Sequence, residues 1–217
     1  MNRSVLKLTA LALLAAIGVV LMSIFQIPYP VAPFLKIEFS DFVVIFAFLL
    51  FGFKEAFVVS ILKTLCDLLI RGPQTGGALP FVAHLTALVA SLSYVFVLWI
   101  CSKIFKGNKI KDKIIGYSAV VLIVSVIMTF LNYMILTPLF LGEVSFFGSG
   151  LSSSSAEQLA SLTGVDSFLL GMIILYMPFN LLKGTCIALV AVTSGDTLLT
   201  MYRNKFKLKD KRYEEIT

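Results

Sequence analysis

Residues 114–141 read IIGYSAVVLIVSVIMTFLNYMILTPLFL, twenty-eight positions without one Asp, Glu, Lys, Arg or His. A helix rises about 1.5 Å per residue, so such a run exceeds the roughly 30 Å hydrocarbon core of a bilayer. The rest of the chain points the same way. Of its 217 residues 59% are hydrophobic and 14% charged, and mean hydropathy is +0.97. A soluble domain carries about 45–50% apolar and about 25% charged residues, so the apolar surplus here must face something other than water. Further apolar segments lie at 5–25, 41–53, 55–71, 80–102 and 167–201. At about 20 residues per crossing plus short connections, six spans fill the chain and leave no room for a soluble domain. The expectation is an all-α integral membrane protein: one domain over residues 1–217, a bundle of six transmembrane helices.

Two segments depart from the simple pattern. Segment 41–53 would cover only about 20 Å as a helix, so it is expected to be short or tilted and joined to an ordered loop at 26–40. That loop contains Pro28, Pro30 and Pro33 and cannot be regular helix throughout. At the start of the chain, Arg3 and Lys7 precede an apolar run much as in a signal peptide. The run from Leu8 to Phe25 is long, however, and no small-x-small cleavage site ends it, so it reads as a retained first span. Cys66, Cys101 and Cys186 sit in apolar stretches without metal-ligand spacing and read as buried apolar residues.

Basic residues set the orientation. With the N-terminus inside and alternating spans, fourteen of the eighteen Lys and Arg fall on the cytoplasmic side. They cluster at 103–113 and 203–212, with Arg3, Lys7 and Lys54. This asymmetry places both termini in the cytoplasm. It also accounts for the net charge of +6 without nucleic acid; anionic lipid or a protein partner is the secondary reading.

Polar residues within spans are costly and mark a solute path or a buried pair. Counted from Lys113, Asn132 lies roughly 28 Å up its helix; counted from Arg203, Asn180 and Lys183 lie about 30–35 Å up theirs. Lys36, Glu38 and Asp41 fall at the same outer level, which suggests a pocket opening outward. Asn180 and Lys183, three apart, share a helix face. Amide and ammonium together suit a planar solute edge with alternating carbonyl and N–H groups, and Pro178 would loosen the helix and free a carbonyl. The alternative is that Lys183 snorkels while Asn180 joins helices. Lys63 and Asp67, four apart at mid-membrane, are expected to neutralise each other, the alternative being a direct role toward a solute or proton. His84 reads as a packing or hydrogen-bonding residue. The serines at 152–155 suit a flexible outer linker or a lid. Ala12 and Ala16 form a small-xxx-small face, for internal packing or for a partner subunit.

The chain has no GxxxxGK[ST], HExxH or GxSxG and a single histidine. ATP binding by a P-loop, metal hydrolysis and a nucleophile elbow therefore find no support, and neither a catalytic residue nor a metal ligand is proposed. Ser194-Gly195-Asp196 reads as the end of the last span.

Three stretches carry a resemblance: Pro33-Phe34-Leu35-Lys36-Ile37-Glu38-Phe39-Ser40-Asp41, Asn132-Tyr133 with Thr137-Pro138, and Pro178-Phe179-Asn180-Leu181-Leu182-Lys183-Gly184. Together they resemble the riboflavin-specific substrate-binding subunit, or S component, of energy-coupling-factor (ECF) vitamin transporters, over nearly the whole chain. The resemblance implies a cell-membrane protein that binds riboflavin from outside without chemistry, as a transported ligand and not a cofactor. Asn132, Asn180 and Lys183 would hydrogen-bond the flavin, with the 34–41 loop, including Lys36 and Asp41, closing the site. The partners it implies are a membrane scaffold subunit, met by the Ala12/Ala16 face, and two ATPase subunits. Phe34, Phe39, Tyr133 and Phe179 are candidate apolar walls. The loop 142–166 does not match the family pattern. Competing readings are an S component for folate or thiamine, a solitary facilitator, and an intramembrane enzyme.

Overall fold

The computed structural model describes residues 3–72, 81–105, 107, 110–141 and 152–206. Helix α1 spans Arg3–Ile24 and is followed by a hairpin of β1 (Gln26–Tyr29) and β2 (Ala32–Glu38). Then come α2 (Asp41–Phe51), α3 (Phe53–Arg71), α4 (Val82–Ile104) and α5 (Ile110–Leu131). A π-helical turn (Asn132–Leu136) carries α5 on into a short α6 (Thr137–Phe140). Helix α7 (Ser153–Thr163) precedes α8 (Phe168–Phe206), a single helix of 39 residues.

The hairpin departs from the all-helical expectation, and its prolines are compatible with it. The strands pair antiparallel with Gln26 opposite Glu38 and Pro28 opposite Lys36, and the register shifts between Pro28 and Tyr29. A two-stranded ribbon has two edges, where a proline lacking its N–H is tolerated, and Pro30 begins the two-residue turn, where its fixed φ is favoured. The hairpin supplies the chain length that α2 lacks. Between α2 and α3 the chain reverses at Gly52, whose φ of 101° lies in the left-handed region that favours glycine.

Among the described residues, four helical stretches are long and apolar enough to cross a membrane: Val5–Ile24, Val82–Ile104, Ile110–Phe140 and Phe168–Met201. Helix α2 is apolar but short, and α3 carries Lys63 and Asp67, both fully buried. Large apolar side chains cover the outside of the bundle, among them Leu8, Leu69, Leu122, Phe130, Ile173 and Leu189. Contiguous exposed apolar surface on this scale is unusual for a soluble monomer and suits a lipid surround; the molecule is a membrane protein.

The interior has three packed regions. One joins α2, α4, α5 and α8 around Ile45, Tyr94, Met128 and Ile187. A second sets α2 against α3 and α4 through Val44, Val59 and Val95. The third packs the hairpin and α7 on α8 through Ala32, Leu159 and Met172. Residues 153–163 are thus a helix seated on α8, not a flexible linker; the 142–151 part of that loop lies outside the described residues, as do Lys106, Lys109 and the basic tail from 207. Helix α8 passes unbroken through Pro178 and through Ser194-Gly195-Asp196, which does not end it. Asp196 instead pairs with Lys113 at 2.5 Å, and Lys7 pairs with Glu55. The starts of α1, α3 and α5 and the far half of α8 therefore share one end of the bundle.

At Gly184 α8 lies close against α4 and α5. A β-carbon there would stand 2.9 Å from Val121 Cγ1 and 3.1 Å from Tyr94 Oη. Overpacking a core costs about 1–3 kcal/mol. Gly184→Val should therefore lower the midpoint of thermal unfolding in detergent, while Leu189→Val on the exposed face of α8 should leave it near that of the parent protein.

Candidate functional site

Strand β2 hands over to α2 through Ser40 and Asp41, and a closed ring of charges forms there. Asp41 has no exposed surface. Its Oδ1 accepts hydrogen bonds from Ser91 Oγ at 2.6 Å and Lys63 Nζ at 3.0 Å. Its Oδ2 lies 3.0 Å from Lys183 Nζ, an ion pair without an aligned hydrogen bond. Lys183 also donates to Glu38 Oε1 at 3.3 Å. Ser40 Oγ donates to Glu38 Oε2 at 2.9 Å and accepts from Lys63 Nζ at 2.5 Å, which closes the circuit. Two ammonium groups and two carboxylates cancel, and β2, α2, α3, α4 and α8 are tied at one level. Buried charges require such pairing, because each one alone carries a large desolvation penalty.

The expected Lys63–Asp67 pair does not form. Asp67 is four residues from Arg71 as well as from Lys63, and with Asp41 claiming Lys63, Arg71 takes Asp67. Arg71 Nε donates to Asp67 Oδ1 at 2.6 Å, and a second guanidinium nitrogen donates to Oδ2. Ser23 Oγ donates to Asp67 Oδ1 at 3.1 Å. His84 Nδ1 lies 3.0 Å from Asp67 Oδ2 and Nε2 lies 3.0 Å from the Gly72 carbonyl.

Beside the ring is a cavity of about 290 Å³, close to the lower bound of roughly 300–1,000 Å³ typical of small-molecule sites. Lys36, Asn132, Asn180 and Lys183 all line it. Asp41 does not; it stands behind Lys183 and holds the ammonium in place. Of the proposed aromatic walls, Phe34 and Phe179 face the cavity. Phe39 stacks on Phe42 and Tyr133 packs on Phe168, away from it.

Local backbone geometry places Asn132. The π turn is closed by the Thr137 N–H bonding to the Asn132 carbonyl, five residues back. Pro138, just beyond, has no N–H to give to an α-helical ladder, and the wider turn absorbs that loss. Asn132 Nδ2 donates to the Met128 carbonyl at 2.7 Å. Thr137 Oγ1 is 2.8 Å from Tyr176 Oη and 3.4 Å from Asn132 Oδ1. With one proton per hydroxyl, the chain can run from Tyr176 to Thr137 to Asn132. Asn180 Nδ2 reaches Thr129 Oγ1 at 3.5 Å. Both amides are at least nine-tenths buried, so their orientations are fixed by neighbours.

The remaining walls are apolar. Ala83, Ala87 and Ala90 of α4 line the space together with Met128, Leu136 and Phe179. The 83/87/90 spacing is visible in the sequence as a small-residue stripe, yet only the fold shows that it faces a cavity. Thr137, within one of the stretches quoted above, also lines the space, as do Tyr94 and Tyr176, which no sequence signal marks. Phe34 of β2 stacks on Phe140 of α6 with centroids 5.9 Å apart, closing the hairpin over this end. A second cavity of about 200 Å³ lies at the other end of the bundle, beside the Lys113–Asp196 pair, and contains none of the amides. Among the described residues no group of three or more His, Cys, Asp or Glu could hold a metal ion.

A cavity lined by apolar side chains and a few hydrogen-bonding groups, inside a bundle with an apolar exterior, suits a class: a membrane-embedded protein that takes up a small solute within the bundle. The particular family follows from comparison. The model of the family described as ECF transporter, substrate-specific component, matches residues 6–195, and the chain belongs to that family. It is 32% identical over 180 residues to the riboflavin transporter RibU of Streptococcus thermophilus, covering 82% of this chain and 75% of the relative. It is 28% identical over 185 residues to the riboflavin transporter FmnP of Bacillus subtilis, covering 85% and 87%. These relatives are transporters, not enzymes. A solved S component of a bacterial ECF transporter shares the fold, with a TM-score of 0.66 and 21% identity over 93% of this chain and 99% of that one.

Removing one member of a buried ion pair typically costs about 3–5 kcal/mol, because the other charge is left uncompensated. Lys63→Met should therefore strongly destabilise the detergent-solubilised protein. Adding Asp41→Asn, which restores neutrality and leaves Lys183 with Glu38, should recover much of that loss in thermal unfolding. A double variant no better than the single one would contradict the ring.

Proposed function

We propose that this chain binds riboflavin with high affinity and serves in its uptake across the cell membrane as the S component of an ECF-type transporter. The observation that carries the reading is the convergence of Asn132, Asn180 and Lys183, from distant parts of the chain, on one apolar slot, in a protein whose relatives are riboflavin transporters. A flavin is a flat heterocycle with carbonyl and ring nitrogen groups along one edge. The apolar lining, with Ala83, Ala87, Ala90, Leu136 and Phe179, suits its faces, while the two amides and the Lys183 ammonium suit that edge.

In this reading the six spans are α1, α2, α3, α4, α5 with its π turn and α6, and α8. Both termini are cytoplasmic and the cavity opens outward. The distribution of Lys and Arg supports it, as does Lys103 resting 3.6 Å over the ring of Trp99, since Trp favours the membrane interface. Helix α3 is the span least apparent from hydropathy, and its charges are those neutralised inside the bundle.

The chain contributes no ATPase, so its partners in this reading are a membrane scaffold subunit and two ATPase subunits. Ala12 and Ala16 lie on the exposed face of α1 among Leu13, Ile17 and Val20, while Ala15, Gly18 and Val19 face inward. A small-residue face on a lipid-exposed helix allows close approach of another helix, and it suits docking of the scaffold.

Titration of the detergent-purified chain should quench riboflavin fluorescence at sub-micromolar ligand. Hydrogen bonds involving charged groups contribute about 1.5–3 kcal/mol and neutral ones about 0.5–1.5 kcal/mol, where 1.4 kcal/mol is tenfold. Asn180→Ala should thus weaken binding by about tenfold, and preserved affinity would point to a different pocket or vitamin. Ala12→Trp with Ala16→Trp should abolish uptake by the assembled transporter yet leave riboflavin affinity intact; uptake in vesicles containing this chain alone would favour a solitary facilitator.

A further inference from the structure

A π turn inside a spanning helix calls for a reason, since such turns are rare and recur at functional sites. In an α-helix a residue five positions on lies roughly 140° around the axis, so Asn132 and Thr137 would face different ways. The π turn brings them together twice. The Thr137 N–H bonds to the Asn132 carbonyl, and Thr137 Oγ1 stands 3.4 Å from Asn132 Oδ1. Tyr176 of α8 completes the group, with its Oη 2.8 Å from Thr137 Oγ1. We propose that Thr137 and Tyr176 are positioning residues for the ligand: they form a one-way relay of hydroxyl protons that fixes the plane and sense of the Asn132 amide at the cavity wall. The proposal rests on the riboflavin reading above, in which Asn132 meets the solute.

The direction of the relay follows from the atoms. A carbonyl only accepts, so the Asn132 atom 2.7 Å from the Met128 carbonyl is the amide nitrogen. That turns Oδ1 toward Thr137. Oδ1 also only accepts, so the Thr137 hydroxyl donates to it. A hydroxyl has one proton; with that of Thr137 spent on Asn132, Tyr176 donates to Thr137. The arrangement that keeps both contacts therefore has a single polarity, from α8 through the end of the π turn to Asn132. An amide turned half a revolution would set Oδ1 against the Met128 carbonyl, acceptor facing acceptor, in a place where a buried polar group left unpaired is costly.

Packing fixes the start of the relay. Asn132, Thr137 and Tyr176 are all buried, and the Tyr176 ring sits in the apolar cluster of Ala32, Leu159, Met172 and Leu175. The hydroxyl is thus held by hydrophobic contacts on its own ring. Lys183 is set by ion pairs with Glu38 and Asp41, whereas Asn132 is set by a neutral chain of donors, so the two polar contacts of the site are positioned by independent means.

The test is a double-mutant cycle read by quenching of riboflavin fluorescence. Tyr176→Phe and Thr137→Val each remove one hydroxyl at nearly constant shape and should weaken riboflavin about fivefold. Thr137→Ser, which keeps the hydroxyl, should bind within about twofold of the parent. In an Asn132→Ala background Tyr176→Phe and Thr137→Val should each change affinity by less than about twofold, because the group they position is gone. Full, additive losses in that background would mean that the hydroxyls touch the ligand themselves or only support the fold, and would overturn the proposal. So would parent-like binding by Asn132→Ala, or by both Tyr176→Phe and Thr137→Val, and so would a Thr137→Ser variant as weak as Thr137→Val. Failure of the parent chain to bind riboflavin at all would instead overturn the riboflavin reading itself.

Discussion

The ammonium groups of Lys63 and Lys183 and the carboxylates of Asp41 and Glu38 lie inside a bundle whose exterior is hydrocarbon. Any one of them alone would oppose insertion of its helix, because an isolated ion in a medium of low dielectric constant carries a desolvation penalty of several kcal/mol even after relaxation. Joined in a circuit with Ser40 and Ser91 they carry no net charge, and each ion keeps at least one partner at 3.3 Å or less. The circuit also explains the architecture around it. Strand β2 must end where Glu38 can reach α8, α2 must begin at Asp41, and α3 must pass close enough for Lys63 to meet both Ser40 and Asp41. Gly18 belongs to the same constraint: a β-carbon there would sit 3.3 Å from the Lys63 stem and crowd it.

The ring has a direct consequence for the site. Lys183 donates to Glu38 and stands 3.0 Å from Asp41 Oδ2. In the riboflavin reading proposed above, Lys183 is thus held in place before a ligand arrives, and little side-chain entropy is left to lose on binding, which is the usual route by which a preorganised site gains affinity. The two amides are restrained likewise, Asn132 by the Met128 carbonyl and the Tyr176–Thr137 pair, Asn180 by Thr129.

What the sequence discloses and what it withholds divide along a physical line. Hydropathy reports the surface a helix shows to lipid, so α1, α4, α5 and α8 stand out at once. Depth along a helix follows from a fixed rise per residue, and that places Asn132, Asn180 and Lys183 at a common level. Pairing is another matter. Lys63 has Asp67 on its own helix at the favoured spacing, yet it turns to Asp41 because α2 packs alongside, and such a choice is made in three dimensions. The hairpin is half legible: three prolines exclude a continuous helix, but nothing local in 26–38 dictates that the two arms pair. The π turn is hidden for a similar reason. Thr137-Pro138 signals a disturbance, while the extra residue that turns the Asn132 amide inward is visible only in the backbone hydrogen bonds. Arg71 and Gln26 line the cavity yet escape notice, because Arg71 is the last residue of α3 and Gln26 the first of β1, where polar residues are ordinary.

Helix α1 joins two surfaces with opposite requirements. Its inward side carries Gly18 against Lys63, Met22 in the cavity wall and Ser23 bonded to Asp67, so its last two turns are fixed to the binding end. Its outward side carries Ala12 and Ala16, with large apolar neighbours that have no partner among the described residues. A helix packed through one face onto a rigid charge network presents its other face in a defined position, which a small-residue contact needs because close helix approach tolerates little misalignment. The scaffold-docking face proposed on α1 and the solute cavity are therefore two sides of one element, and the ionic clusters at Lys63 and Asp67 hold both in register.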